Sequence, residues 1–153
     1  IGITDSQVVF QFANTTFVTR KIEGNFPDYK QLLPKSCKTK VEVDVARLTS
    51  ALHRVSVVAV NNPSVKFDIN VDSATMKLSA TSPNQGEATE LIPVDIQGSD
   101  ITIALNYHYV NDCMEAVSDQ DKVTFELESG MQPGIFKSYA KVNYLYLLMP
   151  LRM

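Results

Sequence analysis

The sequence predicts an α+β fold of two strand-helix-three-strand units related by internal pseudo-twofold symmetry. Alternating apolar residues mark most of the chain as β-strands, two segments have helical spacing instead, and the same order of elements occurs twice. The first unit covers about 41–96 and the second about 101–149, which gives a period of about 60 residues. Two such units can pack both helices on one side of their strands.

Two helices are predicted from the spacing of apolar residues. In each, four of these residues follow the spacing i, i+3, i+4 and i+7, which places them on one face of a helix. They are Leu48, Ala51, Leu52 and Val55 in the first helix, and Val110, Cys113, Met114 and Val117 in the second. Asp44 and Asn106 precede these stripes and are the predicted N-caps, because their side-chain oxygens can accept hydrogen bonds from free backbone N–H groups.

Strands are predicted where every second residue is apolar, because alternate side chains of a strand lie on the same face of the sheet. The predicted strands are 41–45, 65–71, 76–80, 88–96, 101–105, 123–127 and 142–149. Pro93 interrupts one of these runs. Proline cannot donate a hydrogen bond to a neighbouring strand, so it predicts an edge position or a bulge.

The first 34 residues lie outside the repeat. Residues 8–12 and 16–21 are predicted to form a β-hairpin with its turn near 13–15. A hairpin alone is only marginally stable in water, so we expect it to pack on the following domain or on residues absent from this sequence. Residues 34–40 are the predicted connector. Since the chain begins without Met, we expect it to be a portion of a longer protein.

Composition limits the classes of function. The chain has 153 residues with 44% hydrophobic and 20% charged residues, which is ordinary for a globular protein. No apolar run approaches the roughly 18 residues of a membrane-spanning helix. The net charge of -3 argues against a simple electrostatic nucleic-acid binder, so any DNA contact requires a local basic patch. Cys37 and Cys113 are expected to be free thiols in a reducing cytoplasm.

Two motifs indicate a family. The first is Gly24-Asn25-Phe26-Pro27-Asp28-Tyr29, followed by Leu32-Leu33-Pro34. The second is the C-terminus, Tyr146-Leu147-Leu148-Met149-Pro150-Leu151-Arg152-Met153. Together they resemble bacterial DNA sliding clamps, the beta subunit of DNA polymerase III, at the junction of the middle and last domains and at the chain end. The resemblance covers essentially the whole chain.

The resemblance implies the DNA-clamp fold and a ring-forming processivity factor, a non-catalytic subunit that encircles duplex DNA. Such a ring is a head-to-tail homodimer with three similar domains per subunit, and helices line its hole. Residues 1–34 would be the C-terminal part of the middle domain plus connector, and 35–153 the last domain. The DNA polymerase III catalytic subunit and the clamp loader would dock through short linear motifs.

The resemblance also implies the residues of a peptide-binding pocket between the middle and last domains. They are Pro27, Leu32, Asn106, Tyr109, Met131, Pro133, Leu147, Met149, Pro150, Leu151, Arg152 and Met153. Gln31 stands where many members of the family carry a basic residue. A Thr-Asp-Gly-His-Arg-Leu-like segment of the family's pocket has no match in this sequence. Leu147 and Met149 also fit an ordinary strand core.

Further residues are assigned to the DNA-facing surface and to the subunit interface. Arg47 and Arg54 lie off the apolar stripe of the first helix and are expected to face the hole, as are the connector lysines Lys35, Lys38 and Lys40. Each of them fits an ordinary solvated surface equally well. Acidic Asp112 and Glu115 on the second helix depart from a basic lining. The resemblance places Val57 and Val58 at the subunit interface, whereas packing in the local core is the alternative.

Sequence signals for catalysis are weak. His53 and His108 lack a Cys or carboxylate at zinc-site spacing, and no glycine-rich phosphate loop or G-x-S-x-G motif occurs. We therefore expect no metal, no cofactor and no enzymatic activity. Two alternatives stay open besides the clamp: a self-contained α+β peptide-binding module and a small enzyme with a site assembled from distant residues.

Overall fold

The computed structural model describes residues 1–26, 28–34, 36–139 and 143–152. A short 3₁₀ helix covers Tyr29–Gln31. The two α-helices are α1 (Val45–Ser56) and α2 (Tyr107–Ala116). The described strands are β1 (Gly2–Ile3), β2 (Gln7–Phe12), β3 (Thr15–Arg20), β4 (Thr39–Asp44), β5 (Ser64–Asn70), β6 (Thr75–Ser82), β7 (Gly86–Pro93), β8 (Asp95–Gln97), β9 (Ile101–Asn106), β10 (Lys122–Leu127), β11 (Gly134–Ser138) and β12 (Tyr144–Leu148).

The predicted twofold pattern is confirmed, because the two units complete each other's sheets. The first unit supplies β7, β6 and β5, and β9 of the second unit joins them next to β5. The second unit supplies β12, β11 and β10, and β4 of the first unit joins them next to β10. The registers correspond: Asn106 pairs with Ser64 just as Asp44 pairs with Lys122. This is an α+β domain with a shared core.

Both helices begin at the predicted N-caps. The Asp44 carboxylate accepts a hydrogen bond from the backbone N of Arg47 at 2.8 Å, and the Asn106 side-chain oxygen accepts one from the backbone N of His108 at 3.0 Å. All eight residues of the two predicted apolar stripes are buried in one core. The two helices contact each other, and at the exposed surface the His53 ring nitrogen lies 2.8 Å from the Asn111 side-chain oxygen.

The observed elements differ from the prediction in three places. The run 88–96 is two strands, because the edge strand β7 ends at Pro93 and β8 pairs with β4 in the other sheet. Strand β11 has no counterpart among the predicted strands. The connector is shorter than predicted, since Thr39 and Lys40 already belong to β4. The start predicted for the last strand, residue 142, lies outside the described residues.

The N-terminal hairpin is confirmed, with β2 and β3 paired from Gln7–Arg20 to Phe12–Thr15. Strand β1 adds to β2, so these strands form a separate three-stranded sheet. The buried core of the described chain contains no residue before Val41. Large apolar side chains near the hairpin stay exposed, above all Phe12 at 84% and Ile22 at 95%. The hairpin therefore keeps an apolar surface that the rest of the described chain does not cover.

Candidate functional site

A pocket of about 410 Å³ lies where the connector, the β10–β11 loop and the end of β12 meet. We call it the junction pocket. Three residues assigned to the peptide site, Leu32, Pro133 and Met149, line it together. They come from three distant parts of the sequence, and the fold brings them to one place. The other described lining residues are Gln31, Leu33, Pro34, Ser36, Glu128 and Gln132.

The C-terminal tail is anchored on both sides of Met149. Leu148 is the last residue of β12 and is buried in the core. The backbone N of Leu151 donates a hydrogen bond to the carbonyl oxygen of Ala104 in β9 at 2.8 Å. Met149 lies between these anchors and is 59% exposed. A flexible thioether side chain held this way suits a surface that receives several different apolar ligands.

The β10–β11 loop forms a second wall of the junction pocket. Its position depends on Gly130, where a Cβ atom would lie 2.2 Å from the carbonyl oxygen of Thr102. Only glycine permits this approach of the loop to β9. The next residue, Met131, is exposed, and Pro133 is half-buried in the pocket wall. The loop and the C-terminal tail therefore share β9 as their support.

The 3₁₀ helix, the residues that follow it and the start of the connector form the third wall. Asp28 caps the 3₁₀ helix, since its carboxylate accepts hydrogen bonds from the backbone N of Lys30 at 3.2 Å and from the Gln31 side-chain amide at 3.0 Å. The Gln31 amide is thus held by Asp28 at the edge of the pocket. Leu32 follows and is 47% exposed. The cap therefore fixes the turn from which Leu32 is presented to the pocket.

The remaining residues assigned to the peptide site do not line the junction pocket in the described part of the chain. The Asn106 side chain caps α2, and Tyr109 is exposed on that helix. Leu147 pairs with Ile135 on β11 and is half-buried, as are Pro150 and Leu151, while Arg152 is exposed. Pro27 and Met153 lie outside the described residues. The structure thus brings three of the assigned residues into one pocket.

Glu128 is a site residue that the sequence did not indicate. It lines the junction pocket directly after β10. One carboxylate oxygen, Oε1, lies 3.9 Å from Nζ of Lys38, and the Glu128 side chain is 19% exposed. The other oxygen, Oε2, is buried and has no hydrogen-bond partner among the described residues. Nothing in its local sequence distinguishes Glu128 from a surface carboxylate, because its surroundings depend on the tertiary fold.

The exposed side of α1 carries both predicted arginines. Arg47 and Arg54 line one shallow groove with Ser50. Arg54 is neutralised by Glu90 of β7: its guanidinium donates hydrogen bonds at 2.7 and 3.0 Å to the two carboxylate oxygens. These hydrogen bonds raise the pKa of Arg54 and lower the pKa of Glu90. Arg47 is exposed, and its side chain forms no ion pair in the described structure.

The two described lysines that were predicted in the connector, Lys38 and Lys40, do not form one basic surface with α1. Lys40 belongs to β4, where it alternates with buried Val41. Val41 shares a core with α1, so the Lys40 side chain lies on the opposite face of the sheet from that helix. The expectation that Lys40 lies in the connector is therefore wrong, whereas its assignment to the DNA-facing surface stays a prediction. Lys38 contacts Glu128, and Lys35 lies outside the described residues.

The two valines after α1 differ in exposure. Val57 is 67% exposed, whereas Val58 packs against the core. Val58 thus fits the alternative of local core packing, and Val57 leaves an apolar side chain at the surface. A single exposed valine is common in proteins, so exposure alone assigns it no role.

Comparison with known families decides the affiliation. A family model described as the DNA polymerase III beta subunit, C-terminal domain, matches residues 30–152. This chain belongs to the DNA polymerase III beta subunit family. The match begins in the 3₁₀ helix and covers both strand-helix-three-strand units. The predicted relationship is therefore confirmed over most of the chain.

Individual members of the beta subunit family extend the match to the hairpin. The beta sliding clamp of Synechocystis is 32% identical over 152 residues, which is 99% of this chain and 39% of that protein. A solved beta subunit from Thermotoga maritima has a TM-score of 0.86 at 30% identity, over 99% of this chain and 41% of that one. The Bacillus subtilis sliding clamp gives a TM-score of 0.88 at 27% identity, over 99% and 40%. The chain thus spans 39–41% of the length of these relatives.

The described residues of this member of the beta subunit family show few other features of functional sites. The described residues include no group of three or more His, Cys, Asp or Glu side chains placed to hold a metal ion. No described helix is long and apolar enough to cross a membrane. Cys37 and Cys113 are both free, and burial raises the pKa of the Cys113 thiol to about 12.

Proposed function

We propose that this chain is the last domain, with the end of the middle domain, of a bacterial sliding clamp. In this proposal the full-length subunit forms a homodimeric ring that encircles duplex DNA and tethers the replicative polymerase in the cytoplasm. The family match over residues 30–152 supports the assignment. The observation that carries the tethering role is the junction pocket, where Leu32, Pro133 and Met149 converge.

The division at residue 34 is part of the proposal. Residues 1–34 contribute nothing to the core of the described chain and carry the exposed apolar side chains of the hairpin. Apolar surface of this kind is stabilised when another sheet or helix covers it. We assign 1–34 to the middle domain plus connector and 35–153 to the last domain. The junction pocket then lies between the two domains.

Tethering requires no chemical step, and we propose a non-catalytic accessory role. A ring linked topologically to DNA keeps a bound polymerase at a high effective concentration near its template. To slide, the ring needs weak, sequence-independent contacts to phosphates. Exposed Arg47 on α1 supplies such a contact. Arg54 is less available because Glu90 holds its guanidinium.

Partners would dock as short peptides. The junction pocket has apolar walls from Leu32, Pro133 and Met149, and polar groups from Gln132 and Glu128 at its edge. A pocket of this composition suits apolar anchor residues that are oriented by a few hydrogen bonds. The DNA polymerase III catalytic subunit and the clamp loader are the partners proposed, through Gln-x-x-Leu-Phe-like motifs. Exposed Val57 is proposed to lie at the interface of the head-to-tail homodimer.

Two assays on the full-length subunit test this function. Fluorescence anisotropy with a labelled Gln-Leu-x-Leu-Phe peptide measures docking, and primer extension on circular single-stranded DNA measures processivity. We expect saturable peptide binding and longer extension products in the presence of the subunit. Absence of saturable binding, with products of unchanged length, would contradict the proposal.

A further inference from the structure

A second pocket, of about 280 Å³, adjoins the junction pocket. We call it the sheet pocket. Its apolar floor includes Ile135 of β11 and Leu145 of β12. Both pockets are lined by the same stretch of the connector and by Glu128; the shared residues are Leu33, Pro34, Ser36 and Glu128. A peptide bound in the junction pocket therefore has a neighbouring cavity within reach of its next residues.

The two carboxylates that line the sheet pocket differ in how closely a lysine pairs with them. Glu126 accepts a hydrogen bond from Nζ of Lys137, which raises the pKa of that lysine. Among the described residues, Glu128 has only the distant contact with Lys38, whose side chain is 67% exposed, and the buried oxygen Oε2 has no hydrogen-bond partner there. A carboxylate withdrawn from water and poorly paired costs free energy, which a cationic ligand group would recover.

We propose that the sheet pocket extends the partner site. It binds an apolar side chain that flanks the docking motif, and Glu128 pairs with a lysine or arginine beside that side chain. The inference rests on the peptide-docking function proposed above and adds a preference for basic flanking residues. The occupant is thus one continuous partner peptide that crosses the connector from the junction pocket into the sheet pocket.

Labelled peptides test the preference on the full-length subunit. The core peptide is Gln-Leu-x-Leu-Phe, and matched peptides carry Leu-Lys or Leu-Glu at either end. At one end of the core peptide, we expect the Leu-Lys addition to give about 5- to 10-fold tighter binding than the Leu-Glu addition. The Glu128→Gln variant should reduce this ratio to about twofold or less, because it removes the charge and keeps the shape of the side chain.

A matched pair of variants separates the two pockets. Leu145 lines only the sheet pocket and Met149 only the junction pocket, and both are exposed. Leu145→Ser should abolish the Leu-Lys advantage and leave the affinity for the core peptide unchanged, whereas Met149→Ala should weaken binding of every peptide. If the core peptide binds but Leu-Lys and Leu-Glu bind equally, the extension is overturned and docking stands. If the core peptide does not bind, docking itself fails.

Cys37 offers a readout of where the bound peptide lies. Its exposed thiol lines the sheet pocket, whereas Cys113 is buried. A peptide whose flanking residue is a cysteine activated with thionitrobenzoate should be trapped: the Cys37 thiolate attacks the peptide sulfur, and thionitrobenzoate leaves. We expect faster trapping than with a scrambled peptide, and none at this site in Cys37→Ser. Equal rates for the motif and scrambled peptides, when the core peptide still binds, would overturn the extension.

Discussion

The rings of Phe67 and Phe125 meet edge to face, with centroids 6.3 Å apart and planes inclined at 67°. The two residues occupy equivalent positions in the two units, because Phe67 pairs with Ile103 of β9 and Phe125 pairs with Val41 of β4. Both are fully buried. The core is therefore joined at its centre by one symmetric aromatic contact between the halves of the repeat.

This contact predicts a shared but unequal loss of stability. Phe67→Ala and Phe125→Ala should each lower the free energy of unfolding by about 3–5 kcal/mol. The loss should be larger for Phe125, whose ring also stacks on Phe136 with centroids 4.2 Å apart. Urea denaturation of the full-length subunit, followed through the unfolding of this domain, measures both. A loss under about 1 kcal/mol for either variant would contradict the central role of the pair.

Met149 is predicted to contribute to binding more than to stability. Met149→Ala should weaken binding of the core peptide about tenfold, because an apolar wall of the junction pocket is lost. Its high exposure predicts an unchanged melting temperature. Leu91→Ala is the matched control, since Leu91 is equally exposed on β7 and does not line the junction pocket. If both variants bind the peptide like the unaltered subunit, Met149 has no part in the site.

The hydrogen bond between Leu151 and Ala104 is predicted to hold the tail in place. Leu151→Pro removes the donor and should cost about 1 kcal/mol of stability along with peptide affinity. Leu151→Ala keeps the backbone N–H and should retain most of the tail's position while losing side-chain contacts. Hydrogen exchange of the tail amides and peptide affinity are measured for both variants. Both quantities should change more in Leu151→Pro than in Leu151→Ala. A proline variant that binds as well as the alanine variant would count against this anchoring.

The arginines of α1 predict opposite changes in DNA affinity. Arg47→Ala should reduce the salt dependence of duplex binding by about one phosphate contact, while Glu90→Gln should increase it by releasing Arg54. Lys40→Ala is the comparison on the opposite face of its sheet and should change nothing if only the α1 side faces the DNA. Titrating binding of the assembled ring against salt concentration gives the three slopes. Equal reductions for Arg47→Ala and Lys40→Ala would place the DNA-facing surface elsewhere.

The two thiols should react at very different rates. Cys37 is exposed, whereas Cys113 is fully buried and burial raises its pKa to about 12. A disulfide reagent should therefore modify Cys37 quickly and Cys113 only after unfolding, because thiolate and access are both required. Peptide mapping after timed labelling identifies each thiol. Fast labelling of Cys113 under native conditions would mean that α2 opens locally.

The parts of the fold that depend on local chemistry could be predicted from the sequence. The caps at Asp44 and Asn106 and the stripes that follow them act within a few residues, so their spacing is sufficient. Strand β11 was not predicted because Gly134, Ile135 and Phe136 are all buried, which removes the alternation of one covered face. The switch of β8 to the other sheet depends on long-range pairing with β4.

The candidate site was predictable mainly through family resemblance. The convergence of Leu32, Pro133 and Met149 was expected from the family resemblance, because no periodic pattern links residues so far apart. Two features had no local signal: the pairing of Arg54 with Glu90 and the poorly paired carboxylate of Glu128. Both arise because the fold places charges together that are distant in sequence. Lys40 was misplaced because its strand begins within a stretch that lacks apolar alternation.

Retention on DNA of different topology tests the central claim most directly. The labelled full-length subunit is loaded onto a nicked circular plasmid by the clamp loader, and gel filtration measures how much stays with the DNA before and after a restriction enzyme linearises it. A ring held by topology should stay on the circle and slide off the linear product. Equal retention on both forms, or none on the circle, would contradict the proposal that this chain belongs to a DNA-encircling clamp.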